Sequence, residues 1–335
     1  MNKLFLVLLL SLSFGDFNLE KEKPTYGDLE IVAELEICPG NVAVSKKGRI
    51  FSSVHPLRRG EFQLIEVVDE QNYEAFPNEE WNADPGSNTD VLNSPLGIVV
   101  DDQDWLWVID GGNALPEPLQ PKLLAFDIES KELKYRYNFP SKIAPTGSFL
   151  QDLVVDVKNG FVYMADIGAG DVEPAIVCLN YKTGKAFRFE DEKLGPEKVE
   201  MIVDGKTQNF LGEPASVGIN PISLSADGET LYFGSMSGTK FYKVPAKLFR
   251  DFSSSKTISR KIKVHGAKVV SDGSTIDQKG NIYITNIGNN SLDVLTTKGE
   301  LKTIVKDKEK LDWPDNVRFG PHGWVYMAVN QLHKT

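Results

Sequence analysis

A short β-hairpin unit that recurs six times constrains the fold of this 335-residue chain more than any other feature. In each copy a short apolar strand runs into a polar turn, and the next strand opens on an apolar residue followed by an aromatic one. The copies recur at intervals of roughly 40–70 residues, which suits four-stranded propeller blades with loop insertions. The six opening pairs are Ile50-Phe51, Leu106-Trp107, Val162-Tyr163, Leu231-Tyr232, Ile282-Tyr283 and Val325-Tyr326.

Two further strands follow most copies, for example at 240–245 and 258–264 after the fourth. Four strands repeated six times predict an all-β fold, a six-bladed β-propeller that forms a single domain over residues 28–335. The sixth copy is incomplete, because the chain stops soon after its second strand. Residues 28–37 are expected to close the last blade from the N-terminal side, in the outer position. One strand is then still missing, so either the last blade has three strands or the sequence is a fragment, and we favour a fragment.

The N-terminus predicts export. Residues 4–14 are apolar, follow Lys3, and are too few to span a bilayer as a helix. We therefore expect a signal peptide over residues 1–15, a polar linker over 16–27, and a secreted or periplasmic protein. Later residues contain no apolar run long enough for a membrane helix. The net charge of −10 provides no basic field for nucleic acid or anionic membranes, so neither is an expected partner.

Familiar catalytic signatures are missing from the sequence. The four histidines form no zinc-protease motif, and no nucleophile elbow or phosphate-binding glycine loop occurs. The two cysteines, Cys38 and Cys178, lie two blades apart and are expected to be buried thiols. Any metal would therefore be held by oxygen ligands.

Oxygen-bearing side chains gather where each blade begins. The first strand of a propeller blade lines the central channel, and five of the six residue pairs at these starts contain Asn, Gln or Asp. We call the following five side chains the oxygen ring: Asn41, Asp152, Asn220, Asp272 and Asn316. Such a ring suits a hard cation such as calcium, or a polar small-molecule ligand. The alternative is structural, because Asn and Asp ahead of a strand often bond their own backbone.

Several stretches resemble the Yellow/major royal jelly protein family. They include SPLGIVVDDQDWLWVIDGG, FLQDLVVDVKNGFVYMADIG and LDWPDNVRFGPHGWVYMAVNQLHK, and the resemblance covers most of residues 90–334 in the family's order. It implies an exported six-bladed propeller. Some members are linked to dopachrome conversion, and some salivary members bind biogenic amines in the channel. Family chains generally run on past the last block, which favours the fragment interpretation.

The stretch SDGSTIDQKGNIYITN, around Asp272, more distantly resembles the SMP-30/gluconolactonase family of calcium-dependent propeller lactonases. This resemblance implies that Asp272 and Asn220 are metal ligands and that Asp152 lies near the substrate. This chain has Gly40-Asn41 where that family supplies a glutamate, and losing a carboxylate weakens calcium binding.

The leading hypothesis from the sequence is an exported propeller that binds a small organic ligand, an aromatic amine or a catechol-derived metabolite, through the oxygen ring. A tautomerase activity would use Asp152 or Asp272 to move a proton. The alternatives are a calcium-dependent lactonase, in which the cation polarises an ester carbonyl, and a scaffold that binds protein partners through its loops.

Overall fold

The structure is a computed structural model that describes residues 27–88, 90–112, 119–210 and 212–334, together with the backbone of residues 4–10. The expected cleavage site after Gly15 and the expected linker up to residue 26 lie outside the described residues. Within the described residues, no helix is long and apolar enough to cross a membrane. Strands are the predominant regular secondary structure of the described residues.

Two strands from the N-terminal part, β1 (Leu4–Leu10) and β2 (Glu30–Leu35), pair with each other in antiparallel fashion. Five four-stranded antiparallel sheets then follow along the chain, each built from consecutive strands, and we call them blades 1 to 5. Blade 1 contains β3 (Pro39–Val44), β4 (Ile50–Val54), β5 (Leu64–Val67) and β6 (Tyr73–Ala75). Blade 2 contains β7 (Pro95–Val100), β8 (Trp105–Asp110), β9 (Lys122–Asp127) and β10 (Leu133–Asn138).

Blade 3 contains β11 (Leu150–Asp156), β12 (Phe161–Asp166), β13 (Ala175–Asn180) and β14 (Lys185–Glu190). A long insertion follows, with the short strands β15 (Ile202–Val203), β16 (Lys206–Thr207), β17 (Asn209–Phe210) and β18 (Glu213–Pro214). Blade 4 contains β19 (Ile219–Leu224), β20 (Thr230–Ser235), β21 (Lys240–Pro245) and β22 (Lys263–Ala267). Blade 5 contains β23 (Ser274–Ile276), β24 (Ile282–Asn286), β25 (Ser291–Leu295) and β26 (Leu301–Lys306).

A further four-stranded sheet, the closing sheet, joins the two ends of the chain. Its order is β2-β1-β28-β27, where β27 is Pro314–Phe319 and β28 is Trp324–Val329. The outer position is held by β2, as the sequence predicts. The third position is held by β1, so the described sheet does not lack a strand. Sequence reasoning missed this because it assigned the same apolar residues to a signal peptide. The described chain is therefore an all-β propeller.

In the part of the chain that the structure describes, helices are few and short. The α-helices are α1 (Lys247–Arg250) and α2 (Ser255–Ser259), and single 3₁₀ turns lie at Pro56–Arg58, Glu192–Leu194, Pro321–Gly323 and Leu332–Lys334. The prediction of a strand over 258–264 was wrong at its start. Ser254 caps α2 by accepting a hydrogen bond from the Thr257 N–H, and the strand begins only at Lys263.

Aromatic side chains from the second strands pack between neighbouring blades. Phe51 of blade 1 lies in one cluster with Phe126 of blade 2, and Trp107 of blade 2 lies in another with Met164 of blade 3. Tyr163 of blade 3 packs edge-on against Phe249, which α1 contributes beside blade 4. Each sheet thus buries both faces against its neighbours, which is how a propeller builds its core.

The hairpin turns are closed by their own side chains. Asp101 accepts hydrogen bonds from the backbone N–H groups two and four residues later, at 2.7 and 3.1 Å. Asp277 does the same in blade 5, at 2.8 Å each. Such side-chain turns need only local sequence, which explains why the repeat is readable from the sequence alone.

The insertion between blades 3 and 4 packs against residues of blade 4 and the segment before β27. We call residues 199–217 the cap segment. Its buried side chains Met201, Val203 and Val217 pack against Met236 of blade 4 and Trp313 ahead of β27. The cap segment therefore lies beside the residues that surround the oxygen ring.

Candidate functional site

The innermost strands place the oxygen ring around the propeller axis. These strands contact one another in the order β3, β7, β11, β19, β23, β27, and β27 contacts β3. All of these strands except β23 show a register shift against their partner strand near the start of the blade, where the sequence analysis placed the oxygen ring. A β-bulge redirects side chains out of the regular alternation. Four members of the ring therefore lie inside the first strands, at bulges, rather than ahead of them as predicted: Asn41, Asp152, Asn220 and Asn316. Asp272 lies ahead of β23, as predicted.

Two glycines allow neighbouring inner strands to approach closely at the ring. A Cβ atom on Gly97 would stand 2.4 Å from the backbone oxygen of Gln151. A Cβ atom on Gly273 would stand 2.6 Å from the backbone oxygen of Asp315. Only a residue without a side chain fits either position, so the ring's tight spacing depends on both glycines.

Asp272 lies at the centre of the hydrogen-bond network. Its Oδ1 accepts from the Asn220 amide at 2.6 Å and from the Gln151 amide at 3.3 Å, and its Oδ2 accepts from the Trp313 indole N–H at 2.8 Å. The side chain is only 4% exposed. Burial raises the Asp272 pKa to about 6, and the nearby Asp152 carboxylate raises it too, although the three donors oppose the rise.

Asp152 forms a buried ion pair. Its Oδ1 accepts from Arg318 Nη2 at 2.5 Å, whereas its fully buried Oδ2 has no hydrogen-bond partner. Burial raises the Asp152 pKa and the Arg318 guanidinium opposes that effect. Arg318 also donates to the backbone oxygen of Ser274 at 3.2 Å, which fixes its position between blade 5 and the closing sheet.

A third carboxyl group, Asp315, stands close enough to interact electrostatically with the other two. Its Oδ2 accepts from the Asn330 amide at 2.5 Å. Burial raises its pKa well above the usual range, and Asp272 and Asp152 contribute further in that direction. Three buried carboxyl groups therefore lie near one guanidinium, that of Arg318. Ionising all three would cost free energy, because one cation cannot offset three buried negative charges.

Asn41 and Asn316 occupy another part of the ring. Asn316 Oδ1 accepts from the Val42 backbone N–H at 3.4 Å, which joins the closing sheet to blade 1. The Asn41 backbone N–H donates to Ser53 Oγ at 2.9 Å, and its buried side-chain Oδ1 has no partner. Asn316 thus bonds the backbone, which is the structural alternative that the sequence left open. Asn41 Oδ1 is an acceptor that makes no hydrogen bond.

The structure brings Asn220, Asp272 and Asp152 together, and it adds three residues that sequence reasoning did not assign to the site. These are Arg318, Trp313 and Lys268. Lys268 is buried and donates to the backbone oxygens of Ser235 and Gly238 at 2.7 and 3.0 Å. Burial lowers its pKa to about 7. Arg318 could have been found from the sequence, because a basic residue inside the first strand of a propeller blade indicates a buried charge.

A calcium ion fits the ring only after rearrangement. Asp272 Oδ2 is bonded to an indole N–H, which cannot become a ligand. Asn220 and Gln151 currently present their amide NH₂ groups to Asp272. Rotation of both amides by half a turn would place their oxygens beside Asp272 Oδ1. Calcium usually takes six to eight oxygens, so these three residues supply about half of a site.

A cavity of about 400 Å³ occupies the other end of the channel, among the hairpin turns of blades 2 to 5. Its walls are inner-strand side chains such as Leu153 and Ile222, and its rim contains Asp101 and Asp156. Arg318 lines the cavity and binds Asp152. The ion pair therefore connects this cavity to the ring.

Comparison with known proteins identifies relatives by sequence. Residues 93–335 match the major royal jelly protein family. Major royal jelly protein 3 of Apis mellifera is 24% identical over 292 residues, which cover 77% of this chain and 51% of that protein. The chain thus spans about half the length of this relative.

Similar solved structures share the propeller fold. A gluconolactonase of Xanthomonas campestris matches with a TM-score of 0.56 at 12% identity, covering 87% of this chain and 86% of that one. A calcium-binding regucalcin of Agrobacterium tumefaciens matches with a TM-score of 0.52 at 15% identity, covering 88% and 91%. Such low identities establish the fold alone. The family match extends over well more than half of the sequence, and the chain therefore belongs to the major royal jelly protein family.

Proposed function

We propose that this protein binds a small organic cation, such as an aromatic amine, at the carboxylates of its oxygen ring. The observation that carries the proposal is the charge imbalance at the ring. Asp152 raises the pKa of Asp272, both of them raise the pKa of Asp315, and Arg318 is the cation that pairs with Asp152. A ligand ammonium group would relieve this repulsion, and Asp152 Oδ2 is an acceptor without a present partner.

The surroundings favour an organic ligand over a bare ion. Trp313 donates to Asp272, and the Met236 sulfur lies 3.8 Å from the Asn220 amide nitrogen. Both side chains belong to the apolar cluster that includes the cap segment. A ligand with an ammonium group and an aromatic body would match the carboxylates and this cluster together.

Asp272 is the residue suited to move a proton if the ligand is also a substrate. A carboxyl group with a pKa of about 6 is poised between its protonated and ionised forms near neutral pH. Asp152 forms an ion pair with Arg318, so it is better suited to remain a carboxylate than to transfer a proton. A tautomerase activity would therefore depend on Asp272.

We also propose that the closing sheet is a sixth blade and that the protein is exported. The closing sheet has the four-stranded antiparallel order of the other blades, and its inner strand contacts those of blades 1 and 5. Export is supported by the apolar segment after Lys3 and by family membership. Cleavage after Gly15 would remove β1, so the N-terminus of the exported protein decides whether β1 belongs to it.

Calorimetric titration with phenethylamine tests the proposal, with phenethyl alcohol as the uncharged analogue. We expect the amine to bind and the alcohol not to bind, and Asp272→Asn to weaken amine binding at least tenfold. Asp251→Asn, which changes an exposed carboxylate on the C-terminal side of α1, is the matched control and should bind like the wild type. Equal binding of amine and alcohol, or an unaffected Asp272→Asn variant, would contradict the proposal.

The calcium-dependent lactonase remains the second candidate, favoured by the direct contact of Asn220 with Asp272. Thermal melts with calcium and with a chelator separate the two, because a ligand that binds only the folded state raises the melting midpoint. A calcium-dependent rise that is lost in Asp272→Asn, without any amine effect, would favour the lactonase.

A further inference from the structure

A histidine and two carboxylates converge at the cap segment, next to Trp313. Asp204 lies in the turn between β15 and β16, Asp312 precedes β27, and His333 lies in the last 3₁₀ turn. One ligand atom from each lies within 4.8 Å of the other two. The His333 ring stacks on Trp313 with centroids 5.6 Å apart, so its position is fixed by packing.

The spacing of the three donors matches that around one tetrahedral ion. His333 Nε2 lies 3.3 Å from Asp312 Oδ1 and 3.6 Å from Asp204 Oδ2. Two donors bound at 2.0–2.2 Å to one tetrahedral Zn²⁺ stand about 3.3–3.6 Å apart. The observed separations therefore need no large movement to admit an ion.

Two of the three donor atoms of this cluster, Asp312 Oδ1 and His333 Nε2, are buried without a hydrogen-bond partner. Asp312 is 3% exposed, and its Oδ1 is buried without a hydrogen bond. Both ring nitrogens of His333 are likewise buried, and Nε2 approaches the two carboxylates at 3.3 and 3.6 Å without hydrogen-bond geometry. Leaving such polar atoms unsatisfied is costly, and an unobserved ion is one of the few explanations that structures offer.

The outer oxygens of both carboxylates are held by lysines. Lys334 contacts Asp312 Oδ2, and Lys308 lies 3.0 Å from Asp204 Oδ1. Each carboxylate thus gives one oxygen to a lysine and directs the other toward His333. Metal-binding carboxylates are commonly oriented by such outer partners. The lysines fix the side chains without occupying the atoms that would bind an ion.

We propose that Asp204, Asp312 and His333 form a binding site for a divalent transition cation such as Zn²⁺. Two carboxylate oxygens and one imidazole nitrogen are donors that Zn²⁺ accepts, and three protein ligands leave a fourth position for water. The bound ion links the cap segment, through Asp204, to the loop before β27 and the last 3₁₀ turn. This site is separate from the oxygen ring and does not depend on the function proposed for the ring.

Cobalt titration of the chelator-treated protein tests the site, because Co²⁺ replaces Zn²⁺ and its visible absorption reports the ligand geometry. We expect one equivalent of Co²⁺ to give intense tetrahedral bands that added Zn²⁺ abolishes. Asp204→Asn should weaken Co²⁺ binding at least tenfold, and His333→Gln should remove the bands. Asp204 is exposed, so its substitution is not expected to impair folding, and the melting midpoint of each apo variant checks this.

Matched controls keep the result specific. His322→Gln changes an exposed histidine between β27 and β28, and Asp251→Asn changes an exposed carboxylate paired with a lysine. Both should bind Co²⁺ like the wild type. Wild-type affinity in Asp204→Asn and His333→Gln would overturn the proposal. Loss of the bands in Asp272→Asn but not in Asp204→Asn would also overturn it, by moving the ion to the oxygen ring.

Discussion

The replacement of Asp272 by Asn should remove a pH-dependent loss of stability that the wild-type protein carries. Raising a carboxyl pKa from 3.8 to about 6 costs its ionised form about 3 kcal/mol in the folded state, since each pKa unit corresponds to about 1.4 kcal/mol. Asn fills nearly the same space and cannot ionise. The variant therefore keeps the site's shape while removing this titration.

The direction of the effect follows from proton binding. Below the unfolded-state pKa near 3.8, Asp272 is protonated in both states and contributes no pH dependence. Between that pKa and about 6 the folded state keeps a proton that the unfolded state releases, so wild-type stability falls as the pH rises. Above this window the full penalty of about 3 kcal/mol applies.

Urea unfolding of both proteins across pH 4 to 8 measures the effect, with the slope of free energy against urea checked for constancy. The unfolding free energy of Asp272→Asn minus that of the wild type should rise by about 3 kcal/mol between about pH 4 and pH 7. The exposed control Asp251→Asn should show no such rise. A difference that stays flat, or falls with rising pH, would refute the assignment of a raised pKa to Asp272.

Three further outcomes are expected. Trp313→Phe removes one donor to the Asp272 carboxylate, so the pH at which stability is lost should move upward. The same urea series measures this pH, and an unchanged value would contradict the role of the hydrogen bond. Arg318→Met leaves Asp152 buried without its cation and should cost roughly 3–5 kcal/mol at neutral pH in urea unfolding, whereas a loss below about 1 kcal/mol would mean that the pair is already solvated. Sequencing the N-terminus of the exported protein should yield Asp16 first, and a retained Met1 would instead make β1 part of the mature closing sheet.

The repeat, and with it the propeller, could be predicted because its determinants are local. A turn closed by Asp101 or Asp277 needs residues within four positions, and the aromatic positions of the second strands follow from strand alternation. The approximate positions of Asn220 and Asp272 followed from the same repeat, since equivalent residues of each blade meet at one axis. The strand predicted over 258–264 was wrong at its start, because Ser254 caps a helix ahead of β22.

The chemistry of the site was decided only by tertiary contacts. Arg318 is 166 positions from Asp152, and Trp313 is 41 positions from Asp272, so no local pattern connects either pair. The raised pKa of Asp272 requires burial by the closed ring of blades, which composition cannot reveal. The convergence of Asp204 with His333 likewise depends on the packing of the cap segment against Trp313. The sequence by itself determined the blades because a hairpin is a short-range structure. Only the tertiary structure decided the electrostatics, because burial and charge pairing arise where distant segments meet.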